Sequence, residues 1–251
     1  MENSDYIFGI HSAIEAIEAG RTVDKLLIKK DLNGELAIRL IHLAKDYGIP
    51  VQRVPVEKLN RITRKNHQGV IGFMSAVAYY SLEDILPAMF EDGVLPFLLV
   101  LDGITDVRNF GAIARTAECC GVNAIVIPQR GSVTVGADAV KTSAGALLHI
   151  PVCRVASLPQ AVQYIKDSGC QIVCATEKAS ENYTLGDYTT PLALVMGAED
   201  TGISPEVLRK ADTRSAIPMF GKIGSLNVGV AAGVMMYEVV RQRLDGNLEI
   251  I

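Results

Sequence analysis

From residue 97 onward the chain repeats one pattern, a short continuous apolar run followed by a stretch of helical periodicity. The runs at 97–101, 124–127, 172–175, 192–196 and 215–217 show no polar alternation, so strands built from them must be buried on both faces. Helices crossing between parallel strands meet that demand, which predicts an α/β unit with a mostly parallel sheet covered on both sides. Upstream, shorter strand candidates at 7–9, 25–28, 51–54 and 70–76 alternate with helical patterns at 12–19 and 35–47, giving a second, smaller α/β unit. The boundaries read as a small domain over 1–78, a linker over 79–95 and a large domain over 96–251. Within the linker, Ser81-Leu82-Glu83-Asp84 is a capping box opening a short helix that Pro87 limits.

Three segments of the large domain carry residues that a scaffold alone does not need. In the first, the strand at 97–101 passes through a polar turn into Asn109-Phe110-Gly111-Ala112-Ile113-Ala114-Arg115. On a helix the six-residue spacing of Asn109 and Arg115 turns through about 600°, so the two share a site only if Asn109 lies in the turn, as an N-cap, with Arg115 pointing inward. In the second, the run at 192–196 ends in Gly197-x-Glu199-x-x-Gly202-x-Ser204, which sets a carboxylate at the end of a strand. The third is Ile217-Pro218-Met219-x-Gly221 leading into Gly224-Ser225-Leu226-Asn227 and an apolar helix. Glycines here let the backbone approach a flat ligand closely, and equally Ser225 can cap the helix while Gly229 and Gly233 permit close packing. No G-x-G-x-x-G follows the first strand, where Asp102-Gly103-Ile104-Thr105 stands instead, which argues against a nicotinamide enzyme.

Composition restricts the class further. No apolar run approaches the roughly 20 residues of a membrane span, and the opening Met1-Glu2-Asn3-Ser4-Asp5 is no signal segment, so a cytoplasmic, membrane-free location is expected. The five cysteines lack ligand spacing with a second pair or a histidine, and they read as reduced apolar residues with no metal. A net charge of −4 is unusual for a nucleic-acid binder, but residues 21–67 hold 11 Lys/Arg against 5 Asp/Glu. Arg53, Lys58, Arg61, Arg64, Lys65 and His67 cluster there as a candidate phosphate-contacting patch, or as the solvated face of a surface helix.

Taken in order, Asn-x-Gly-Ala-x-x-Arg, Gly-x-Glu-x-x-Gly-x-Ser and Ile-Pro-Met-x-Gly-x-x-x-Ser-Leu-Asn-Val resemble the motifs of the SpoU/TrmH family of RNA ribose 2′-O-methyltransferases. Upstream, Ile7-Phe8-Gly9-Ile10-His11-Ser12-Ala13 and His67-Gln68-Gly69-Val70 look like the RNA substrate-binding domain of that family's ribosomal-RNA branch. One departure is Gly229, where the family usually has serine, which puts one hydrogen bond near the cofactor loop in question. The resemblance implies an α/β knot, a deep trefoil knot in the carboxyl-terminal third. It also implies S-adenosylmethionine as cofactor, bound by Gly197, Ile217 and Leu226 with Met219, Gly221 and Ser225 nearby. Asn109, Arg115, Glu199 and Asn227 become the catalytic set, Glu199 accepting hydrogen bonds from neighbouring backbone or from Arg115. Singly, each has a plainer role: Asn109 and Asn227 as caps, Arg115 and Glu199 as a structural ion pair. The implied assembly is a homodimer through the helix at 228–241.

The implied activity is methyl transfer to a ribose 2′-hydroxyl, on a guanosine of 23S rRNA. Alternatives are a transfer-RNA ribose methyltransferase, which the extra N-terminal domain argues against, and an inactive RNA-binding assembly factor, which the intact catalytic set argues against. A base methyltransferase of a related knotted family is disfavoured by the Ser-Leu-Asn motif.

Overall fold

The computed structural model describes residues 6–244. Met1 to Asp5, on which the absence of a signal segment was read, and positions 245–251 of the large domain lie outside the described residues. The chain divides into two compact units, one made of the sequence up to Ala78 together with Thr134–Val140, the other of the remainder.

The smaller unit runs β1 (Tyr6–Phe8), α1 (Ile10–Glu18), β2 (Val23–Lys29), α2 (Glu35–Asp46), β3 (Val51–Val54), α3 (Val56–Ile62) and β4 (Val70–Met74). Its sheet has the order β1-β4-β2-β3, with β4 antiparallel to both neighbours and β2 parallel to β3. Helices α1 and α2 cover one face through Ile10, Ile14, Ile17 and Leu40, packed on Leu26, Ile28 and Val70. The other face holds a smaller cluster in which Leu59 of α3 meets Leu27, Val54 and Ile71. Helix α3 escapes a periodicity reading because in seven residues it buries only Leu59. Where β2 bulges between Val23 and Lys25, the fully buried Asp24 accepts from the amide of Val135 at 2.8 Å. The carbonyl of Val135 accepts from the amide of Ala76 at 2.7 Å, which is how a distant segment joins this unit.

The larger unit begins with β5 (Tyr79–Tyr80) and α4 (Leu82–Glu91), so the stretch read as a linker consists of elements of this unit. Helix α4 continues past Pro87, correcting the expectation that proline ends it. Ser81 Oγ caps it by accepting from the amide of Asp84 at 3.1 Å. Pro87 faces solvent, where water can serve the carbonyl it orphans, while the buried Leu82 and Leu86 before it and the partly buried Met89 after it pack on the core.

There follow in chain order β6 (Phe97–Asp102), α5 (Val107–Cys119), β7 (Ala124–Pro128), α6 (Ala137–Thr142, whose residues up to Val140 belong to the smaller unit), β8 (Val152–Val155), α7 (Leu158–Asp167), β9 (Gln171–Ala175) and β10 (Glu181–Asn182). The last elements are β11 (Leu192–Gly197), α8 (Pro205–Leu208), β12 (Thr213–Ala216) and α9 (Val228–Arg243). The eight strands lie in the order β10-β12-β9-β11-β6-β7-β8-β5, and every described pairing is parallel. The apolar runs sit centrally, as their lack of alternation requires: 97–101 and 192–196 are buried throughout. Leu82, Leu86, Leu158, Val162, Ile165 and Val207 from α4, α7 and α8 join one core with Leu98, Val100, Ala193 and Val195, while α5 and α9 pack on each other and α9 on β11. Cys153 and Cys174 lie in that core, where burial pushes their thiols up to about 12 and keeps them protonated.

The last turn of α9 is fixed by Arg243. Its guanidinium donates to the carbonyls of Leu95 (3.2 Å), Pro96 (3.2 Å), Tyr188 (3.1 Å) and Thr190 (2.7 Å). Its carbon lies 5.3 Å from the Phe97 ring centroid. One side chain thereby ties the end of the final helix to the starts of β6 and β11.

Candidate active site

The carboxyl ends of β9, β11 and β12 converge on a cleft, the position at which open parallel sheets present ligands. Strand β11 stops at Gly197, paired with Asp102 at the end of β6. A Cβ on Gly197 would lie 2.2 Å from the carbonyl carbon of Gly202 and 2.3 Å from the amide nitrogen of Ile203, so backbone stands where a side chain would be. The turn closes as the amide of Gly202, whose φ is +69°, donates to the carbonyl of Ala198 at 2.8 Å. Asp102 Oδ2 then accepts from the amide of Ser204 at 2.8 Å. The spacing Gly-x-Glu-x-x-Gly-x-Ser is thus the sequence of a tight loop pinned to the neighbouring strand, with Glu199 at its tip.

Glu199 is held by two asparagines from different helices. Its Oε1 accepts from Asn109 Nδ2 at 3.1 Å, from Asn227 Nδ2 at 2.6 Å and from the amide of Val228 at 3.4 Å. Asn227 Nδ2 also donates to Asn109 Oδ1 at 3.0 Å, closing a triangle. The orientation of the Asn227 amide is fixed because its Oδ1 caps α9, accepting from the amides of Gly229 (2.9 Å) and Val230 (3.4 Å). The cap is therefore Asn227 and not Ser225.

Helix α5 is capped by Asp106, whose Oδ1 accepts from the amides of Arg108 and Asn109 at 2.9 and 2.8 Å. Asn109 is therefore not the cap. It lies in the first helical turn, where its side chain is free to reach Glu199. Arg115 lies on an exposed part of α5 about 120° around the helix from Asn109. Glu199 accepts from Asn109, Asn227 and Val228, and Arg115 is not among its partners within the described residues. The structure thus brings three of the four expected catalytic residues into contact and leaves the arginine beside them on the surface.

The cleft is half-open, about 660 Å³ of space including open solvent. Met196, Ile203, Ile217, Leu226 and Val228 supply apolar wall, and Thr176, Glu177, Glu199, Ser215 and Ser225 supply polar groups. Of the expected cofactor positions, Gly197, Ile217, Met219, Ser225 and Leu226 line it, whereas Gly221 does not. Gly221 lies in an exposed turn beside Phe220, which is 97% exposed. Apolar walls that can sandwich a heterocycle, with carboxylates that suit a cationic tail, fit S-adenosylmethionine. Gly229 and Gly233 face Ala112 and Thr116 of α5: a Cβ on either would come within 3.7 Å of those side chains. At 229 it would also lie 3.2 Å from the capping Asn227 Oδ1. Glycine at 229 thus leaves the cap unobstructed.

In the smaller unit Arg53, Lys58, Arg61, Arg64 and Lys65 are exposed on β3, α3 and the turn beyond. Arg53 donates to the carbonyl of Lys30 at 2.9 Å. His67 does not belong with them. It is buried, its Nδ1 accepts from the amide of Gly69 at 3.0 Å, and its Nε2 sits 2.9 Å from Asn60 Oδ1. Both ring nitrogens are engaged in holding the turn that carries Gln68 and Gly69. Among the described residues, no group of three or more His, Cys, Asp or Glu is arranged to hold a metal ion, and no helix is long and apolar enough to cross a membrane. Asp102 and Asp106, which position the loop and the helix, were missed in the sequence. Asp106, preceding the helical pattern, carried a cap signal that Asn109 obscured; Asp102 carried none.

Residues 96–237 match the model of the SpoU rRNA Methylase family, and residues 6–80 match that for RNA 2′-O ribose methyltransferase substrate binding. The chain belongs to the SpoU methylase family. It is an RNA methyltransferase with that family's knotted α/β fold. A Bacillus subtilis relative named "Putative TrmH family tRNA/rRNA methyltransferase YacO" is 39% identical over 242 residues, covering 96% of this chain and 97% of its own. The AdoMet-bound rRNA methyltransferase of Sinorhizobium meliloti is 27% identical with a TM-score of 0.60, covering 94% of this chain and 86% of its own. The TrmH/SpoU tRNA modifying enzyme of A. aeolicus is 31% identical with a TM-score of 0.55, covering 66% of this chain and 85% of its own.

Proposed function

We propose that this SpoU-family methyltransferase acts on a ribose 2′-hydroxyl with S-adenosylmethionine as donor, and that its target is a guanosine of 23S rRNA. The observation that carries the reading is the closed Asn109–Glu199–Asn227 triangle at the lip of the cleft. An inactive assembly factor has no need of that constellation.

When bound, S-adenosylmethionine supplies an electrophilic methyl group. Ile217, Met219 and Leu226 would hold its adenosine, with Gly197 allowing close approach and Ser225 a hydrogen bond; Gly221 lies too far out along the turn to line the site. Glu199, fixed by the two asparagines, sets the shape of the lip where the ribose enters. Alignment of donor and acceptor can contribute roughly 7–11 kcal/mol. The planar guanidinium of Arg115, with five donors and no acceptor, suits positioning a phosphate and stabilising charge in the transition state.

Support for ribosomal RNA comes from the smaller unit. The substrate-binding model spans residues 6–80, whereas the A. aeolicus tRNA enzyme covers only 66% of this chain. Arg53, Lys58, Arg61, Arg64 and Lys65 supply the phosphate contacts. A homodimer through α9 is supported by Val230 and Tyr237, seven residues apart on one helix face and 54% and 55% exposed. Methyl-labelled cofactor offered separately with ribosomal and transfer RNA tests the reading. Label in alkali-resistant linkages of 23S rRNA is expected; label on a base, or on transfer RNA alone, refutes it.

A further inference from the structure

The two faces of the small unit's sheet are covered unequally. Helices α1 and α2 bury one face. The other is covered by α3, of seven residues, whose Leu59 and Ile62 sit over Leu27, Val54 and Ile71. Packed against that cluster, the face also carries Tyr6, Phe8 and Phe73, all only partly buried.

The register places these side chains in order. Tyr6 of β1 is opposite Phe73 of β4, and Phe73 is opposite Lys25 of β2, so an aromatic–aromatic–lysine row crosses three strands. Phe8 lies in the next row, opposite the buried Ile71. The rings of Tyr6 and Phe8 are within 28° of parallel with centroids 6.4 Å apart, while Tyr6 meets Phe73 edge-on at 5.0 Å. Two lysines lean over this surface, Lys25 Nζ 4.3 Å from the Phe73 centroid and Lys65 Nζ 5.7 Å from that of Phe8. Lys65 begins the exposed cationic flank that continues through Arg64, Arg61, Lys58 and Arg53. Lys29, also on this face, is paired with Asp31 at 3.0 Å.

Partly exposed rings on one sheet face, two of them near-parallel, with ammonium groups over Phe73 and Phe8 and a cationic border, match the chemistry of unpaired nucleotides. Every base has a π face, and the linking phosphates need cations within a few ångströms. A duplex hides its bases in the stack and leaves such rings without a partner. We propose that this strip binds single-stranded RNA by stacking, Tyr6 and Phe8 each receiving a base while Lys25 and Lys65 hold the adjoining phosphates. The inference rests on the RNA reading above and adds a base-stacking site to a phosphate patch. It makes the preferred target a loop or an unpaired segment.

The test uses the full chain and a short single-stranded oligoribonucleotide carrying 2-aminopurine, with the matching duplex as control. Quenching by the single strand and not by the duplex is expected. Tyr6→Leu/Phe8→Leu keeps apolar volume and removes the rings, and each ring lost should weaken binding by about ten-fold. Tyr6→Phe/Phe8→Tyr should bind as wild type, and both variants should take up S-adenosylmethionine unchanged. Wild-type affinity in the leucine variant, or equal binding to the duplex, overturns the proposal. Equal weakening in the conservative variant also overturns it, because the rings would then act through packing. Retained RNA affinity with lost protein association would make the face a protein contact. The two readings fail separately: a wild-type chain that quenches the probe but methylates no RNA refutes the activity alone. Normal methylation of rRNA by the leucine variant with unchanged KM refutes the stacking site alone.

Discussion

Asn227 holds α9, Glu199 and Asn109 at once, so replacing it should have separable consequences. Asn227→Ala removes the cap, worth about 1 kcal/mol. It also removes a donation to the Glu199 carboxylate (2.6 Å) and one to Asn109 Oδ1 (3.0 Å). At this exposed site the lower ends of the ranges apply, about 1.5 kcal/mol for the charged acceptor and about 0.5 for the neutral one. The expected loss is about 3 kcal/mol. Asn227→Ser keeps a capping hydroxyl and loses only the triangle, so it should cost about 2 kcal/mol. In a double-mutant cycle with Glu199→Ala, the two changes remove the same bond and should couple by about 1.5 kcal/mol. Urea unfolding measures these differences. Methyl transfer by the serine variant, assayed in parallel, should fall at least ten-fold, because Glu199 loses its anchor while the helix stays capped. Additivity within about 0.3 kcal/mol, with full activity in the serine variant, would falsify the view that the triangle is one unit.

Arg115→Ala should abolish methyl transfer while leaving cofactor affinity within several-fold, since Arg115 lies outside the cleft; turnover near wild type would remove it from the chemistry. Arg243→Met keeps the stem over Phe97 but strands four carbonyls, two of them part-buried, and at about 1 kcal/mol for each of those two it should lower stability by ~2 kcal/mol by urea midpoint. A loss below about 1 kcal/mol would mean that water serves those carbonyls. The Arg241 guanidinium beside Glu238, bonded at 2.7 and 2.8 Å, holds that carboxyl below its ordinary 4.5. A depressed folded-state pKa gives stability that is present above the unfolded value and lost as pH falls through the folded one. Stability of wild type relative to Glu238→Gln should therefore shrink below about pH 4.5 and be constant above it, and parallel acid-unfolding curves would contradict this.

What the sequence disclosed, and what it withheld, follows from the range of each interaction. The central strands of the large unit were legible because burial on both faces leaves an unbroken apolar run, a property of each segment alone. Strand β8 was not, since Arg154 interrupts Val152-Cys153-Arg154-Val155 and its place in the sheet depends on β7 and β5. Pro87 misled for a related reason. The rule that proline ends a helix counts the lost hydrogen bond, and it omits Leu82, Leu86 and Met89, whose packing on the core holds the turns before and after the proline.

The site shows the same division more sharply. Three motifs identified Asn109, Glu199 and Asn227, but the partner of each could not be deduced from spacing, because the bonds span 90, 28 and 118 positions. Ser225 and Asn227 are both good caps, as are Asp106 and Asn109. In each pair one residue caps; Asn227, though a cap, keeps its amide nitrogen for the triangle, and Asn109 is released to it. His67 is the opposite case. In sequence it reads as one more cation in a basic run, yet Asn60 and the Gly69 amide take both ring nitrogens. It thereby fixes the turn between the exposed cations and β4, the strand whose Phe73 stands beside Tyr6. A charge count assigned His67 to the ligand, whereas its hydrogen bonds assign it to the scaffold on which the RNA-facing side chains are arranged.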